Sequence, residues 1–297
     1  MDYSLIIPHC NSAVLLRKLL DSVDRNLDMQ TIVVDDNSTD RQFEAVVRLQ
    51  EEYAFELYKN EGASAGGARN TGMKYAKGRW LIFADADDYF TGDMSRLLDA
   101  HSESDADVVF FNVGSRRREN GEKANRDRYI KRLFSQWNTR KDGMIFRCRY
   151  IAPWGKIYKR RFVEKNSINF EECIGGNDML FSVRTGVEAH KIEIDTHEFY
   201  ICTTSASSIT ALIGKERHEA KLQATLRTND YLRKHGCRKY QVSVLYFIAK
   251  AHRYGIRYML HVLNECLKHR SNLIIGMDRI LSYKKVLEDR QDPASFK

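Results

Sequence analysis

The chain has 297 residues, of which 43% are hydrophobic and 30% are charged, and its formal net charge is +8. This composition permits a packed core and excludes an intrinsically disordered chain. The length fits one α/β domain with a smaller appended region. A basic surface is compatible with nucleic acid, with anionic lipid, or with anionic small molecules such as nucleotide diphosphates, and charge alone does not choose among them.

The six cysteines are scattered and form no C-x-x-C pair, which argues against a zinc site and against a disulfide scaffold. We therefore expect a protein of the reducing cytoplasm. The first residues lead into an apolar run without a basic segment, which predicts no signal peptide. No apolar stretch approaches the ~18 residues that span a bilayer, so any membrane contact is predicted to be peripheral.

Short apolar runs alternate with amphipathic stretches in the first part of the chain. The predicted strands are 4–7, 31–34, 55–58, 80–83 and 108–112, and the predicted helices between them are 15–23, 43–49, 69–76 and 94–100. This alternation predicts βαβ units, a mostly parallel sheet and right-handed crossovers. The pattern loosens after Arg116, where residues 116–149 are dense in charge.

Residues 213 to 290 have helical periodicity. One predicted apolar stripe consists of Leu245, Ile248, Ala249, Ile256, Met259, Leu260 and Leu263. Arg253 and Arg257 flank it. Packing against the preceding domain is favoured, and docking on anionic lipid remains the alternative, because basic amphipathic helices bind such surfaces.

Three polar segments follow predicted strands, namely Asp35–Asp36, the turn Gly62–Gly67 and Asp85–Asp88. Ligands of doubly wound sheets bind beyond the carboxyl ends of the strands, so this shared position is the main evidence for a site. Each segment alone has an ordinary structural explanation as a turn or a helix cap.

Carboxylates that lie close together repel one another unless a cation joins them. Mg²⁺ and Mn²⁺ prefer oxygen ligands and often share them with substrate phosphates. The functional interpretation is therefore a metal that bridges Asp87 and Asp85 to a diphosphate, and the alternative is a solvated turn.

The other segments have similar pairs of interpretations. Asp35 or Asp36 hydrogen-bonds a base or ribose, or caps the following turn. The glycines let the backbone approach a ligand closely, and Arg69 adds a planar charged donor; the pattern is not that of a phosphate-binding P-loop. Asp178 precedes an apolar helix as a catalytic base or as an N-cap, and its position alone favours the cap.

Taken in order, several short motifs carry a resemblance to a known family. They are Ser4–Asn11, Val33–Asp40, Asn60–Gly62, Ala68–Gly72, Gly78–Tyr89, Trp154–Arg160 and Gly176–Asp178. This set resembles the inverting glycosyltransferases of family 2, of the bacterial surface-polysaccharide type, over residues 3 to 210. The resemblance implies the GT-A fold, which is a Rossmann-like mixed, mostly parallel sheet flanked by helices, here with a C-terminal helical extension.

The resemblance also implies roles for individual residues. The expected donor-binding residues are Pro8, His9, Asn11, Asp36, Arg69, Asp85, Ala86 and Asp87. Asp85 and Asp87 form the aspartate-x-aspartate motif that holds Mn²⁺ or Mg²⁺, with Asp87 favoured as the direct ligand. Asp178 is the expected base that deprotonates the acceptor hydroxyl, and Trp154, Lys156 and Asn177 are expected on the acceptor side.

Two positions depart from the family pattern. The family usually has an aromatic residue before the asparagine of the first motif, where it stacks on uracil, and this chain has Cys10 there. The family usually has a glutamate before the base, and this chain has Asn177. The first departure weakens the expectation of a uracil base, and the second removes one negative charge beside Asp178.

The implied function is metal-dependent transfer of a hexosyl or N-acetylhexosaminyl group, with inversion, to a hydroxyl of a glycan or lipid-linked glycan. The implied donor is a nucleotide-diphosphate sugar, with a UDP-sugar favoured. The expected domains are a GT-A domain over 1–212, with a donor half 1–115 and an acceptor half 116–212, and a helical region over 213–297. The expected location is the cytoplasm, with peripheral contact at the inner face of the membrane left open.

Three alternatives remain for the function. One is an inactive sugar-binding relative, and the complete set of carboxylates argues against it. A sugar nucleotidyltransferase would use a similar sheet and metal site, but it commonly has a glycine-rich loop after the first strand, and residues 8–11 contain no glycine. A nucleic-acid-binding protein would fit the charge, but no recognised binding motif is present, so no nucleic-acid partner is expected.

Overall fold

A computed structural model describes residues 1–205, 214–273 and 275. Its centre is an eight-stranded sheet with the strand order β3-β2-β1-β4-β7-β6-β8-β5. The strands are β1 Tyr3–His9, β2 Met29–Asp35, β3 Glu56–Lys59, β4 Trp80–Phe83, β5 Tyr89–Phe90, β6 Val108–Arg117, β7 Lys156–Lys159 and β8 Ile192–Thr204.

The first four strands are mutually parallel, and the chain moves outward from β1 through β2 to β3 before it returns to β4 on the other side of β1. The carboxyl ends of β1 and β4 therefore flank the point at which the strand order reverses, where doubly wound sheets bind ligands. β7 is antiparallel to β4 and β6, while β6 and β8 pair in parallel.

Eleven α-helices lie in the described part of the chain. They are α1 Ala13–Asp21, α2 Asp40–Glu52, α3 Ser64–Tyr75, α4 Met94–His101, α5 Arg128–Arg140, α6 Met144–Arg149, α7 Arg160–Lys165, α8 Met179–Glu188, α9 Lys215–Lys234, α10 Leu245–Ala251 and α11 Ile256–Lys268. β1, β2 and β4 are buried along most of their length, which agrees with their largely apolar sequences.

The start of β1 shows how polar groups are accommodated inside the sheet. Ser4 is fully buried, and its hydroxyl donates to the side-chain oxygen of Gln30 at 2.8 Å and accepts from the amide of Gly78 at 2.8 Å. A Cβ atom on Gly78 would lie 2.3 Å from the backbone of Tyr3. Glycine at this position therefore allows the turn before β4 to approach β1 closely.

The helices after residue 214 pack directly on the domain before them. A small apolar cluster of Cys148, Val183, Leu232, Cys237 and Tyr240 joins α9 to α6 and α8. A second cluster, which includes Leu222, Leu226, Val244, Phe247 and Val262, holds α9, α10 and α11 together. The C-terminal helices and the sheet domain are thus in apolar contact through α9.

The predicted fold class is confirmed, and several element boundaries need correction. β1 continues through Pro8 to His9, because Pro8 pairs in register with Val34 on β2. The predicted glycine turn at 62–67 is partly helical, because α3 begins at Ser64 rather than at Arg69. The short strands β5 and β7 carried too few residues for a pattern and were not predicted.

The predicted apolar stripe of residues 245 to 263 is wrong. A 3₁₀ turn at His252–Tyr254 and Gly255, with φ of +93°, separate α10 from α11. The buried face of α11 consists of Tyr258, Val262 and Cys266, whereas Ile256 and Leu260 are 64% and 58% exposed. Across the described ranges, no helix is both long and apolar enough to cross a membrane.

Candidate active site

Three carboxylates form a cluster directly after β4. Oxygen atoms of Asp85, Asp87 and Asp88 lie within 4.8 Å of one another, and no other group of metal-ligating side chains of this kind occurs in the described residues. The amide of Ala84 donates to the carbonyl of Ile6 at 3.2 Å, which keeps the cluster beside the end of β1. The predicted metal ligands therefore lie at the reversal point of the sheet.

Asp88 has a structural role within this cluster. Its side chain is buried; one oxygen accepts from the Tyr200 hydroxyl at 3.0 Å, and the other accepts from the amide of Thr203 at 2.6 Å. The Tyr200 hydroxyl also accepts from the amide of Asp85 at 2.9 Å. The end of β8 thus fixes the loop and leaves the partly exposed Asp85 and Asp87 for a ligand.

Three arginines balance the charge of the carboxylates. Arg69 donates to Asp85 at 2.6 Å, and Arg118 donates to Asp87 at 2.6 Å. Arg126 lies 3.9 Å from Asp85 and 3.8 Å from Asp88. Such opposite charges lower the mutual repulsion that would otherwise disfavour the ionised cluster.

The pKa values of the cluster follow from this environment. Burial raises the pKa of Asp87, the charge of Asp85 raises it further, and Arg126 and Arg118 oppose the shift. Burial also raises the pKa of Asp88. Strong perturbation by burial and neighbouring charges is typical of functional sites.

The donor set fits a hard divalent ion. Asp85 and Asp87 supply carboxylate oxygens, which Mg²⁺ and Mn²⁺ prefer, and both are accessible enough to share the ion with a ligand. The buried Nε atoms of Arg69 and Arg118 have no hydrogen-bond partner among the described residues. Buried donors normally have a partner, so both guanidinium groups are incompletely satisfied.

Asp178 occupies the N-cap position of α8, and its carbonyl accepts from the amide of Ser182 at 3.0 Å. Its side chain makes no capping hydrogen bond, so the carboxylate is not used to cap the helix. Burial raises the pKa of Asp178, and the charge of Arg69 opposes the rise. A carboxylate with a raised pKa is better suited to accept a proton near neutral pH.

Arg69 connects the base loop, residues 170–178, to the acidic cluster. Besides Asp85, its guanidinium contacts the side-chain oxygen of Asn177 at 3.2 Å and lies over the ring of Phe170 at 5.3 Å. The structure therefore brings Arg69, Asp85 and the segment that carries Asp178 together. The sequence does not place these three segments in contact, because Arg69 and Asn177 are more than a hundred residues apart.

The base loop also contacts the glycine turn and α9. The amide of Ala63 donates to Glu172 at 2.9 Å, and a Cβ atom on Gly66 would lie 2.1 Å from the carbonyl oxygen of Glu171. On the other side, Arg227 of α9 is paired with Glu171. The loop is therefore held between α3 and the C-terminal helices.

The turn after β1 is fixed to the loop after β2. His9 is 1% exposed; its Nδ1 lies 3.1 Å from Asp35, and its Nε2 accepts from the amide of Ser12 at 3.1 Å. Nδ1 therefore carries the proton, and burial lowers the pKa of the ring. His9 supports the turn from inside, so its predicted role as a lining residue is replaced by a structural one.

The neighbouring residues of this turn are accessible. Asn11 is exposed, has a φ of +50°, and accepts from the amide of Thr39 at 2.9 Å. Pro8 is partly exposed, and Asp36 accepts from the side chain of Asn60 at 2.7 Å. Asn60 in turn accepts from the amide of Gly62 at 2.9 Å, so Asp36 is linked to the glycine turn.

The other two residues expected on the acceptor side, besides Asn177, have different positions. Trp154 stacks on Tyr200 with ring centroids 5.6 Å apart and lies under Arg126, so it borders the acidic cluster. Lys156 is fully buried, and its ammonium donates to the carbonyl of Tyr150 at 2.6 Å. Direct contact between Lys156 and an acceptor is incompatible with this burial, because the ammonium is enclosed by aromatic rings.

Residues 4–167 match the family model described as Glycosyl transferase family 2. The chain belongs to this family. The match covers more than half of the chain and contains the acidic cluster, Arg69, Trp154 and Lys156. The family resemblance seen in the sequence motifs is thereby confirmed.

Several glycosyltransferases of bacteria are similar to this chain. The poly(ribitol-phosphate) β-N-acetylglucosaminyltransferase TarS of Staphylococcus aureus is 26% identical over 69% of this chain and 36% of its own length. The cholesterol galactosyltransferase of Borreliella burgdorferi is 24% identical over 97% of this chain and 85% of its own length. The chain thus spans only about a third of TarS.

Solved structures share the fold. The structure of S. aureus TarS 1–349 in complex with UDP-GlcNAc has a TM-score of 0.68 at 20% identity, with 91% of this chain and 81% of that chain covered. The mannosyltransferase PcManGT from Pyrobaculum calidifontis, in complex with GDP-Man and Mn²⁺, has a TM-score of 0.51 at 17% identity, over 96% and 80%.

Four residues of the site belong to none of the sequence motifs, namely Arg118, Arg126, Tyr200 and Thr203. The two arginines lie in the charge-dense segment after residue 115, where many similar side chains obscure any motif. Tyr200 and Thr203 lie on a strand whose position beside β6 is decided by sheet pairing. No local signal in the sequence distinguishes these four residues from their neighbours.

Proposed function

We propose that the protein is a metal-dependent inverting glycosyltransferase that moves a hexosyl or N-acetylhexosaminyl group from a nucleotide-diphosphate sugar to a hydroxyl of a glycan or lipid-linked glycan. The observation that carries this proposal is the contact of Arg69 with both Asp85 and Asn177, at 2.6 Å and 3.2 Å. This contact joins a carboxylate cluster suited to a metal and a diphosphate to the loop of the candidate base.

Each residue has a defined part in the proposed reaction. Asp87, with Asp85, would hold Mn²⁺ or Mg²⁺, which neutralises charge that grows on a leaving diphosphate. Asp178 accepts the proton of the acceptor hydroxyl while that oxygen bonds to the anomeric carbon and the bond from this carbon to the diphosphate breaks. Attack from the face opposite the leaving group inverts the configuration.

The remaining polar residues would bind and orient the donor. Arg69 is held in one orientation by Asp85 and Asn177, which limits the side-chain entropy that its guanidinium would lose on contact with a phosphate. Asp36 and the turn of Pro8 to Asn11 would contact the nucleoside. Trp154 is placed to shape the acceptor side, since it borders the acidic cluster.

A UDP-sugar is the proposed donor, and this choice is supported by the name of the TarS complex with UDP-GlcNAc. The PcManGT complex contains GDP-Man, and Cys10 offers no aromatic ring for uracil. The identity of the donor's nucleobase therefore needs a direct test. A surface polysaccharide or its lipid-linked precursor in the cytoplasm is the proposed acceptor, supported by the poly(ribitol-phosphate) named for relatives.

Donor binding tests the proposal directly. We expect UDP or a UDP-sugar to raise the melting temperature in the presence of Mn²⁺ and much less in its absence, because a ligand that binds only the folded state stabilises it. Asp87→Ala should abolish the shift. Asp93→Ala, which removes an exposed aspartate outside the cluster, should retain it.

Melting temperatures with UDP, GDP and their sugars identify the nucleobase of the donor. Release of nucleoside diphosphate upon addition of acceptor identifies glycosyl transfer. The proposal is wrong if no nucleoside diphosphate or nucleotide sugar shifts the melting temperature. It is also wrong if the Asp87→Ala variant responds like the unmodified protein.

We further propose that α11 makes peripheral contact with an anionic membrane. Ile256, Leu260 and Leu267 are 64%, 58% and 66% exposed, and Arg257 and Lys268 on the same helix add positive charge. Apolar side chains beside basic ones favour insertion into an anionic lipid surface.

Sedimentation with vesicles tests this contact. The protein should bind vesicles that contain phosphatidylglycerol more than vesicles of phosphatidylcholine alone, and Ile256→Ser with Leu260→Ser should reduce binding. Val14→Ser, at a 75% exposed apolar position on α1, is the control. Equal binding of the α11 variant and the control would contradict the membrane contact.

A further inference from the structure

Arg118 is paired with Asp87, the carboxylate that would bind the metal in the proposed function. Its guanidinium donates to Asp87 at 2.6 Å and to the Thr203 hydroxyl at 3.2 Å. Thr203 donates its own proton to the backbone carbonyl of Asp87 at 2.5 Å, so its hydroxyl accepts from Arg118. Arg118 is therefore held against Asp87 by two contacts at the end of β6.

A divalent ion and this guanidinium compete for the same side chain. Both are cations, and a metal bound to Asp87 would repel Arg118 at short range. Arg118 is 22% exposed and Asp87 is 33% exposed, so neither is locked in the core. Rotation of a long arginine side chain away from Asp87 requires no change in the backbone.

The diphosphate of a donor would provide the displaced guanidinium with a new partner. The planar guanidinium matches the geometry of phosphate oxygens, and the buried Nε of Arg118 has no partner among the described residues. The charge of a divalent cation and the charge of a doubly negative diphosphate cancel, so together they add no net charge to the site. The exchange therefore leaves the electrostatic balance of the cluster unchanged.

We propose that Arg118 exchanges partners during donor binding: it neutralises Asp87 in the donor-free protein and moves to the donor diphosphate when the metal binds Asp87. This inference rests on the proposed function. It makes metal and nucleotide binding cooperative, because metal alone must displace Arg118 without providing the phosphate that would receive it.

The test measures two affinities in the Arg118→Gln variant, which retains a polar side chain without the charge. We expect Mn²⁺ without nucleotide to bind roughly tenfold more tightly than in the unmodified protein, because the competing cation is absent. We expect UDP at saturating Mn²⁺ to bind roughly tenfold more weakly, because a charged phosphate contact is lost. Electron paramagnetic resonance of free Mn²⁺ and titration calorimetry with UDP give these values.

Arg117→Gln is the matched control, because it makes the same charge change at the neighbouring position of β6, outside the acidic cluster. It should change both affinities by less than about twofold, as expected for a partly exposed charge outside the acidic cluster. Melting temperatures of both variants establish that they are folded.

The outcomes separate this inference from the proposed function. If the unmodified protein binds Mn²⁺ and UDP but Arg118→Gln does not gain Mn²⁺ affinity, or does not lose UDP affinity, the partner exchange is overturned. The same holds if Arg117→Gln matches Arg118→Gln, since the effect would then be general charge. If the unmodified protein binds neither Mn²⁺ nor UDP, the proposed function itself fails.

Discussion

Gly66→Ala tests whether contact between α3 and the base loop determines the position of Asp178. A Cβ atom at this position would lie 2.1 Å from the carbonyl oxygen of Glu171 and 3.1 Å from Cβ of Asn177, whereas ordinary contact begins at 3.4 Å. The two segments must therefore separate by about 1 Å to accommodate one methyl group.

The loop transmits this displacement to the candidate base. The amide of Glu171 donates to the carbonyl of Asn177 at 3.2 Å, and the side chain of Asn177 donates to the carbonyl of Cys173 at 3.3 Å. These bonds make the loop move as a unit, and Asp178 is its last residue. A displacement of about 1 Å in a catalytic group can reduce the rate by about 10²-fold.

The effect on stability should be smaller than the effect on the rate. Overpacking costs about 1–3 kcal/mol, and the helix preference of alanine over glycine returns about 1 kcal/mol of that. We therefore expect the melting temperature to fall by only a few degrees. This combination of a large loss in kcat with a small loss in stability distinguishes a displaced base from general unfolding.

The assay compares kcat, UDP affinity and melting temperature for Gly66→Ala and for Gly92→Ala, whose added Cβ would have no atom within 4 Å. Gly92→Ala should behave like the unmodified protein. If Gly66→Ala retains the kcat of the Gly92→Ala control while both are folded, then the α3 contact does not position Asp178.

Three further predictions concern the base, the turn after β1 and a glycine in the core. Asp178→Asn should lower kcat by about 10²–10⁴-fold with UDP affinity preserved; an active variant would remove Asp178 as the base. Burial lowers the pKa of His9 in the folded state below its ordinary 6.5. As the pH falls, His9 is therefore protonated in the unfolded state before it is protonated in the folded state. The contribution of neutral His9 to the free energy of unfolding is fully present above about pH 6.5 and is lost as the pH falls toward the lowered pKa. His9→Gln should therefore show a smaller fall in melting temperature between about pH 7.5 and 5.5 than the unmodified protein, and an equal fall would refute the assignment. Gly155 has a φ of +68°, and its Cβ would lie 2.3 Å from the Tyr150 hydroxyl. Gly155→Ala should lower the free energy of unfolding, measured with urea, by about 1–3 kcal/mol more than Gly121→Ala, which has a similar φ but open space; equal losses would mean that backbone strain alone matters.

The sequence allowed the donor half of the fold to be predicted because each βαβ unit carries its own signal. The apolar run of β4 ends at Phe83, and the acidic motif begins two residues later, so their relation is local. Parallel strands bring such motifs to one edge of the sheet, which is why the cluster of Asp85 and Asp87 could be expected before any contact was known.

The position of a residue in the sequence did not show which of several possible partners its side chain contacts. Asp178 occupies the N-cap position of α8, as its place in the sequence predicted, yet its side chain makes no capping bond there. Lys156 belongs to a motif of the family, yet it is enclosed in the core, where its ammonium meets a backbone carbonyl. The choice between solvent, ligand and protein partner depends on burial, which a linear pattern does not contain.

By itself, the sequence determined the family, the parallel donor half and the acidic motif after β4, because these depend on periodicity and on residues close together in the chain. Only the tertiary structure decided that Arg118 pairs with Asp87, that Tyr200 and Thr203 of β8 hold Asp88, and that α9 supports the base loop. These contacts join segments 31 to 116 residues apart or lie across a helix interface. They depend on strand order and packing, which form only when the whole chain has folded.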